Sequence, residues 1–287
     1  MTDTADAPYQ NWAEDTAPPD GVDEAAVTLD DWPEDMTLDD EPIVEPPGEE
    51  VRTFTYAQEH TARALRSPLR SDVFANAGGE VCDEIVFREC WGENVYRLEP
   101  HMLRPGGVVV DVGANIGAFT LLALAMQKRT RVVAVEPDGE NADILRANVA
   151  LNGWGSRVAV REVALHEDEG TAHMESGGGA AQAILDDDGE VPVWTMAHLL
   201  AVSRAGGSAV DVDFLKLDCE GAEYAIVRSM RRDRLLARVR WLGMEFHTTS
   251  EEEWGQMIAD LTSAHSISGI IGQPSTGGML WAHRNDV

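Results

Sequence analysis

The period of the hydrophobic pattern changes twice between residues 107 and 126. Val108, Val109, Val110 and Val112 form a β-branched run, too short and uniform for an amphipathic helix and suited to a strand buried on both faces of a parallel sheet. Glycines follow at 113 and 117. Beyond them Phe119, Leu121, Leu122, Leu124 and Met126 recur at helical spacing, so this stretch predicts a strand, a tight turn and a helix. A second apolar run, residues 132–135, ends in Glu136-Pro137. A helical stripe through Ile144, Leu145, Ala147, Asn148 and Leu151 comes next, starting near Asn141 and ending near Asn152-Gly153.

The alternation continues. Residues 158–165 and 212–217 read as a third and a fourth strand, 224–232 as a helix, 241–247 as a fifth strand, and 251–261 as another helix. A closing pair, 266–272 and 278–284, completes an α/β fold. It is expected to be a sheet of about seven mostly parallel strands, the last antiparallel, with helices on both faces.

Elsewhere the pattern is less regular. Residues 52–66 are expected to be helical and 85–96 to form a strand and turn leading over the cleft, which makes Glu89, Glu93 and Tyr96 candidate contacts. Residues 166–175 alternate and turn at Glu169-Gly170, predicting a hairpin. Ser176-Gly177-Gly178-Gly179 then reads as a flexible lid or a spacer. Residues 1–50 carry apolar side chains singly among Asp, Glu, Pro and Thr, too few to offset the entropy of ordering, so disorder is expected there. The chain thus divides into an acidic segment (1–50), a lead-in (51–105) and a main domain (106–287).

The turn after the first strand reads Asp111-x-Gly113-x-Asn115-x-Gly117. It is neither the Gly-x-Gly-x-x-Gly of dinucleotide sites nor a P-loop. An acid at the strand end attracts a cation and repels a phosphate. Glu136, ending the next strand, stands where a carboxylate can accept from both hydroxyls of a ribose. A phosphate-free, positively charged nucleoside suits both, and S-adenosylmethionine (SAM) is that molecule. The plainer alternative is a βαβ unit whose glycines only permit packing.

Charge narrows the partners. The net charge is −29, and residues 1–50 hold 17 of the 51 acids and none of the 22 bases. Such a chain does not seek nucleic acid or anionic lipid by long-range attraction. Its leader could instead dock a peptide or protein through the echoed segments at 28–33 and 37–42. Cys82, Cys90 and Cys219 lack metal-ligand or disulfide spacing and read as reduced thiols; with no apolar run of membrane length, a cytoplasmic protein is expected.

Three segments together carry a resemblance: Val109 to Gly117, Val135-Glu136-Pro137 with Asn141 and Leu145 to Asn152, and Phe214 to Glu223, which contains Lys-x-Asp-x-Glu-Gly-x-Glu. The chain resembles the FkbM-type SAM-dependent methyltransferases over roughly residues 80–250. The resemblance implies a Rossmann-like class I methyltransferase fold and methyl transfer to oxygen on a polyketide-like, sugar-like or other small hydroxylated secondary metabolite. It further implies that Gly113, Asn115 and Gly117 border the methionine part, that Glu136 holds the ribose, and that Asp218 lies near the sulfonium. In this fold class the end of the third strand meets the adenine, which points to Val163 and Ala164. Ala114 and Pro137 belong to the same cofactor-binding turns.

An aliphatic hydroxyl needs its proton removed as the new bond forms. His247, ending the fifth strand beside the expected pocket, is the first candidate base, the alternative being a neutral histidine at the edge of the core. Lys216, Asp218 and Glu220 alternate onto one side of the fourth strand's end and complete the expected catalytic set; Glu220 and Glu223 would orient the acceptor or pair with Lys216. Metal-free chemistry is expected, with Asp218, Glu245 and His247 around a Mg2+ ion as the alternative. Two further readings stand beside O-methylation of a small molecule: methylation of a peptide, protein or carrier-bound substrate recruited through the N-terminus, and a non-catalytic SAM-binding module.

Overall fold

A computed structural model describes residues 51–65, 82–177, 180–203 and 211–287. The disorder expected for residues 1–50 lies outside them, as do Gly178 and Gly179 of the Gly-rich loop.

The chain opens with β1 (Val51–Tyr56) and β2 (His60–Leu65), an antiparallel hairpin where a helix was expected. The reason is period 2. β-branched Val51, Thr53 and Thr55 disfavour a helix, while Ala62 and Ala64, two apart, bury one face, and Ala57 and Gln58 take positive φ at the turn. The strand expected near residue 85 is instead α1 (Cys82–Phe87), continuing into a π-helical turn, Arg88–Glu93. Phe87, Cys90 and Trp91 are buried at i, i+3 and i+4, a helical stripe.

The main sheet follows the predicted alternation: β3 (Val108–Val112), α2 (Ala118–Met126), β4 (Arg131–Val135), α3 (Gly139–Leu151) and β5 (Val158–Arg161). The expected third strand breaks there. Its end, β6 (Ala164–Leu165), joins a second, four-stranded sheet with β7 (Gly170–Gly177), β8 (Ala180–Leu185) and β9 (Val191–Trp194). Glu169-Gly170 is therefore the entry to β7, not a hairpin turn, and Ser176-Gly177 ends a strand that pairs with β8, not a lid. After α4 (Met196–Val202) come β10 (Val212–Leu217), α5 (Glu223–Arg232), β11 (Val239–Phe246), α6 (Glu251–Thr262), β12 (His265–Gln273) and β13 (Gly277–Arg284).

The seven strands lie in the order β12-β13-β11-β10-β3-β4-β5. Five are parallel neighbours, and β13 runs antiparallel to both β11 and β12. This is the Rossmann-like class I methyltransferase arrangement. Alternation along β3 sends Val108, Val110 and Val112 into one core with Tyr224, Ile226 and Leu261, and Val109 into the other with Phe119, Leu122 and Leu145, so helices cover both faces. The chain winds outward from β3 through β4 and β5, then returns to β10 on β3's other side. That reversal leaves a crevice at the carboxyl ends of β3 and β10, where open α/β sheets bind ligands. No helix among the described residues is long and apolar enough to cross a membrane.

Candidate active site

The turn after β3 is built for close approach. Gly113 has φ +71° and lies against the Asp218 carbonyl, where a Cβ would overlap that oxygen. The N–H groups of Gly113 and Ala114 both donate to Val135 O, at 3.0 and 2.9 Å, so the turn also ties β3 to β4. Gly117 plays a different part. It caps α2 with φ +91° and packs against Leu145, so it serves helix packing and does not line the cleft. Ala114, buried, is likewise absent from the lining.

The cleft holds about 790 Å³ of space, its open mouth included. Of the expected cofactor residues, Gly113, Asn115, Glu136, Pro137, Val163, Ala164 and Asp218 line it. Asp111 does not. It is fully buried beneath the turn, accepting from Thr120 Oγ1 at 2.6 Å and pairing with Lys216 Nζ at 3.4 Å. The carboxylates that face the cleft are Glu136, Asp218 and Glu220, and among the described residues no Lys or Arg lines it. The strand-end acid expected to attract a cation therefore sits at the end of β10, next to where the sequence put it. The inner wall is apolar, with Val163, Ala164, Leu165 and Val193, and Ala183 and Leu185 of the β7/β8 hairpin close one side. That hairpin is pinned to the β10 loop by Gln182 Nε2, which donates to Glu220 O at 2.7 Å. Nothing in the local pattern signalled these residues, because they reach the cleft from the second sheet.

Glu136 is buried and tightly held. Its Oε2 accepts from Asn115 N at 2.7 Å, and its Oε1 from Asp138 N at 3.0 Å and Asn141 Nδ2 at 3.3 Å. Burial raises its pKa, and the two backbone donors oppose the rise. Cys219 lines the cleft too, but burial and the Glu223 carboxylate hold its thiol far above the ordinary range, so it stays protonated.

Lys216 is not an open catalytic group. It is buried, and its ammonium donates to the carbonyls of Val112 and Gly113 while pairing with Asp111 and, at 3.5 Å, Asp218. Burial alone would lower its pKa; the two carboxylates more than reverse this and hold it above the ordinary lysine value. Its work is to lock the ends of β3 and β10 together. Asp218 also accepts from Tyr96 Oη at 2.7 Å, which brings the lead-in segment to the site.

His247 differs from the base expected of it. Its Nδ1 lies 3.0 Å from the buried Glu223, and its Nε2 lies 3.2 Å from Glu220. Burial lowers its pKa, but the hydrogen bonds to Glu220 and Glu223 outweigh this and push it up to about 11. At neutral pH it is an imidazolium clamped between two carboxylates, with no lone pair to accept a proton. Glu223, which also accepts from the N–H groups of Cys219 and Gly221, anchors the clamp and does not pair with Lys216. Glu245 has the opposite character. Burial and the neighbouring Asp218 push its carboxyl up to about 7, with the Glu89 carboxylate adding to the rise. Glu93 stands apart, in an exposed pair with Arg88. Asp218, Glu220 and His247 each offer one atom within 4.8 Å of the others, a group of metal-ligating type in which Glu220 takes the place expected of Glu245.

The chain has recognisable relatives. Its residues 111–270, more than half its length, match the Methyltransferase FkbM domain. It is 28% identical over 240 residues to the 31-O-demethyl-FK506 methyltransferase FkbM of Streptomyces tacrolimicus, covering 73% of this chain and 90% of that one. It is also 28% identical over 255 residues to the AMB antimetabolite synthetase AmbE of Pseudomonas aeruginosa, covering 75% of this chain but spanning only 12% of that protein's length. Among solved structures it is similar to M. capricolum TrmK in complex with S-adenosyl-homocysteine (TM-score 0.42, 9% identity, 67% of each chain). A further similar structure is the N-terminal domain of human METTL16 with the same ligand (TM-score 0.40, 14% identity, 70% and 68% covered).

Proposed function

Since the chain belongs to the FkbM methyltransferase family, whose methyl donor is SAM, we propose that it methylates a hydroxyl group on a small secondary metabolite, polyketide-like or sugar-like. The observation that carries this reading is the make-up of the cleft. Carboxylates at the ends of β4 and β10, the strands on either side of β3, an apolar inner wall and the absence of Lys or Arg among the described lining residues suit an adenosine bearing a sulfonium and disfavour a pyrophosphate. The 31-O position in the name of the Streptomyces relative supports an O-methyl product.

When bound, SAM supplies a methyl carbon already activated by its sulfonium. The chain's own part is to align the acceptor oxygen, exclude water and take the acceptor's proton. Gly113 and Asn115 border the cofactor through backbone, Glu136 addresses the ribose, and Asp218 stands at the junction of cofactor and acceptor. Asp218, the lining carboxylate at that junction, takes the proton, since His247 is already charged and neither it nor Glu245 lines the cleft. The Glu220–His247–Glu223 clamp fixes the wall of the acceptor site.

The test is incubation with SAM carrying a deuterated methyl group and a panel of hydroxylated metabolites, read by mass spectrometry with fragmentation. Label on oxygen supports the reading; label only on nitrogen or carbon, or no transfer with any acceptor while S-adenosylhomocysteine binds, overturns it. A second reading, an acceptor presented on a peptide or carrier, draws on the match to one stretch of a much longer synthetase. It is favoured if free acceptors fail and tethered ones react.

A further inference from the structure

Asn141 stands in the sequence as a helix start and as part of the second family-like segment, with no ligand assigned to it, yet its side chain holds an unusual position. It lines the cleft, is 4% exposed, and is the one lining residue whose buried side-chain oxygen has no partner among the described residues. Its place is fixed from two sides. Asp138 caps α3 by accepting from Asn141 N at 3.0 Å, and Asn141 Nδ2 donates to Glu136 Oε1 at 3.3 Å. The amide cannot be turned over, since its oxygen would then face a carboxylate oxygen. A buried acceptor left without a donor is costly, so this atom marks a place that a ligand is meant to complete.

The neighbouring carboxylate says which ligand group. Two carboxylate oxygens offer about four lone-pair positions. Oε1 of Glu136 already accepts from Asp138 N and Asn141 Nδ2, and Oε2 accepts from Asn115 N. One position remains, on Oε2. A ribose diol brings two O–H donors, so Glu136 alone does not satisfy it. We propose that the cofactor's diol is divided between two residues, one hydroxyl donating to Glu136 Oε2 and the other to Asn141 Oδ1, which makes Asn141 a cofactor-binding residue. This deepens the SAM reading and rests on it.

The experiment is calorimetric titration of the full chain, wild type and Asn141→Leu, with S-adenosylhomocysteine, its 2′-deoxy and 3′-deoxy analogues, and S-inosylhomocysteine. The wild type is expected to lose roughly tenfold in affinity for each missing hydroxyl, the usual size of one lost hydrogen bond. Asn141→Leu is expected to bind S-adenosylhomocysteine roughly tenfold more weakly, to stop discriminating against one deoxy analogue, and to keep discriminating against the other. Full discrimination against both in the variant, or a loss of discrimination only against the inosyl analogue, overturns the proposal and leaves the SAM reading intact. Absence of S-adenosylhomocysteine binding by the wild type overturns both. A crystal structure of the wild-type complex decides the matter without a variant: Oδ1 within hydrogen-bond distance of a ribose hydroxyl supports the division, and Oδ1 facing water or the adenine amino group overturns it.

Discussion

At the scale of single residues, charge and burial assign roles that residue type alone left open. Lys216 and Asp111 form a fully buried pair, so removing one partner strands the other in the core. Lys216→Met is expected to lower stability by roughly 3–5 kcal/mol in chemical denaturation, the size typical of an uncompensated buried charge. His247 and Glu245 have opposite expected signatures. The folded His247 titrates near 11 against an ordinary 6.5, so its stabilising contribution is complete below about 6.5 and fades as pH rises toward 11. Glu245 is raised from 4.5 to about 7, so the fold holds its proton more tightly than the open chain does, and stability falls as pH rises between those values. Asp218→Asn is expected to lower kcat by roughly 10²–10⁴ in a steady-state methyl-transfer assay. Turnover that survives in Asp218→Asn would return the role to another group.

At the scale of elements, the site is held by short connections between pieces distant in sequence. The β1/β2 hairpin is stitched to the end of α3 through Asn152, whose side chain accepts from Arg63 N at 2.8 Å and donates to Arg63 O at 2.6 Å. Asn152→Ala is expected to cost roughly 1–3 kcal/mol and to speed amide hydrogen exchange across residues 51–65 first, with S-adenosylhomocysteine affinity unchanged. The turn after β3 is the opposite case. In Gly113→Ala the new methyl would meet the Asp218 carbonyl, and the backbone has positive φ. Loss of calorimetric S-adenosylhomocysteine binding is expected even where the circular dichroism of the fold persists.

At the scale of the whole molecule, 17 of the 51 acids lie in residues 1–50, whereas every described residue lining the cleft lies between 112 and 222. A chain beginning at residue 51 is expected to bind S-adenosylhomocysteine as the full chain does; a fall in its turnover on tethered acceptors alone would assign the leader to substrate recruitment. The main sheet was legible in sequence because each buried parallel strand is a continuous β-branched or aliphatic run and each crossover helix carries its own stripe. Residues such as Val108–Val112 and Phe119–Met126 declare their state through neighbours within a few positions. By the same local logic the sequence itself determined the Gly113 turn and Glu136 at the next strand's end. What the tertiary structure decided was which polar groups meet. It sank Asp111 under the turn against Lys216, brought Glu223 and Glu220 to either side of His247, and carried the β7/β8 hairpin to the cleft. Those outcomes depend on burial and on charges brought close by the crossing of the chain between β3 and β10, and electrostatic energies are set by distance in space, which periodicity along the chain does not encode.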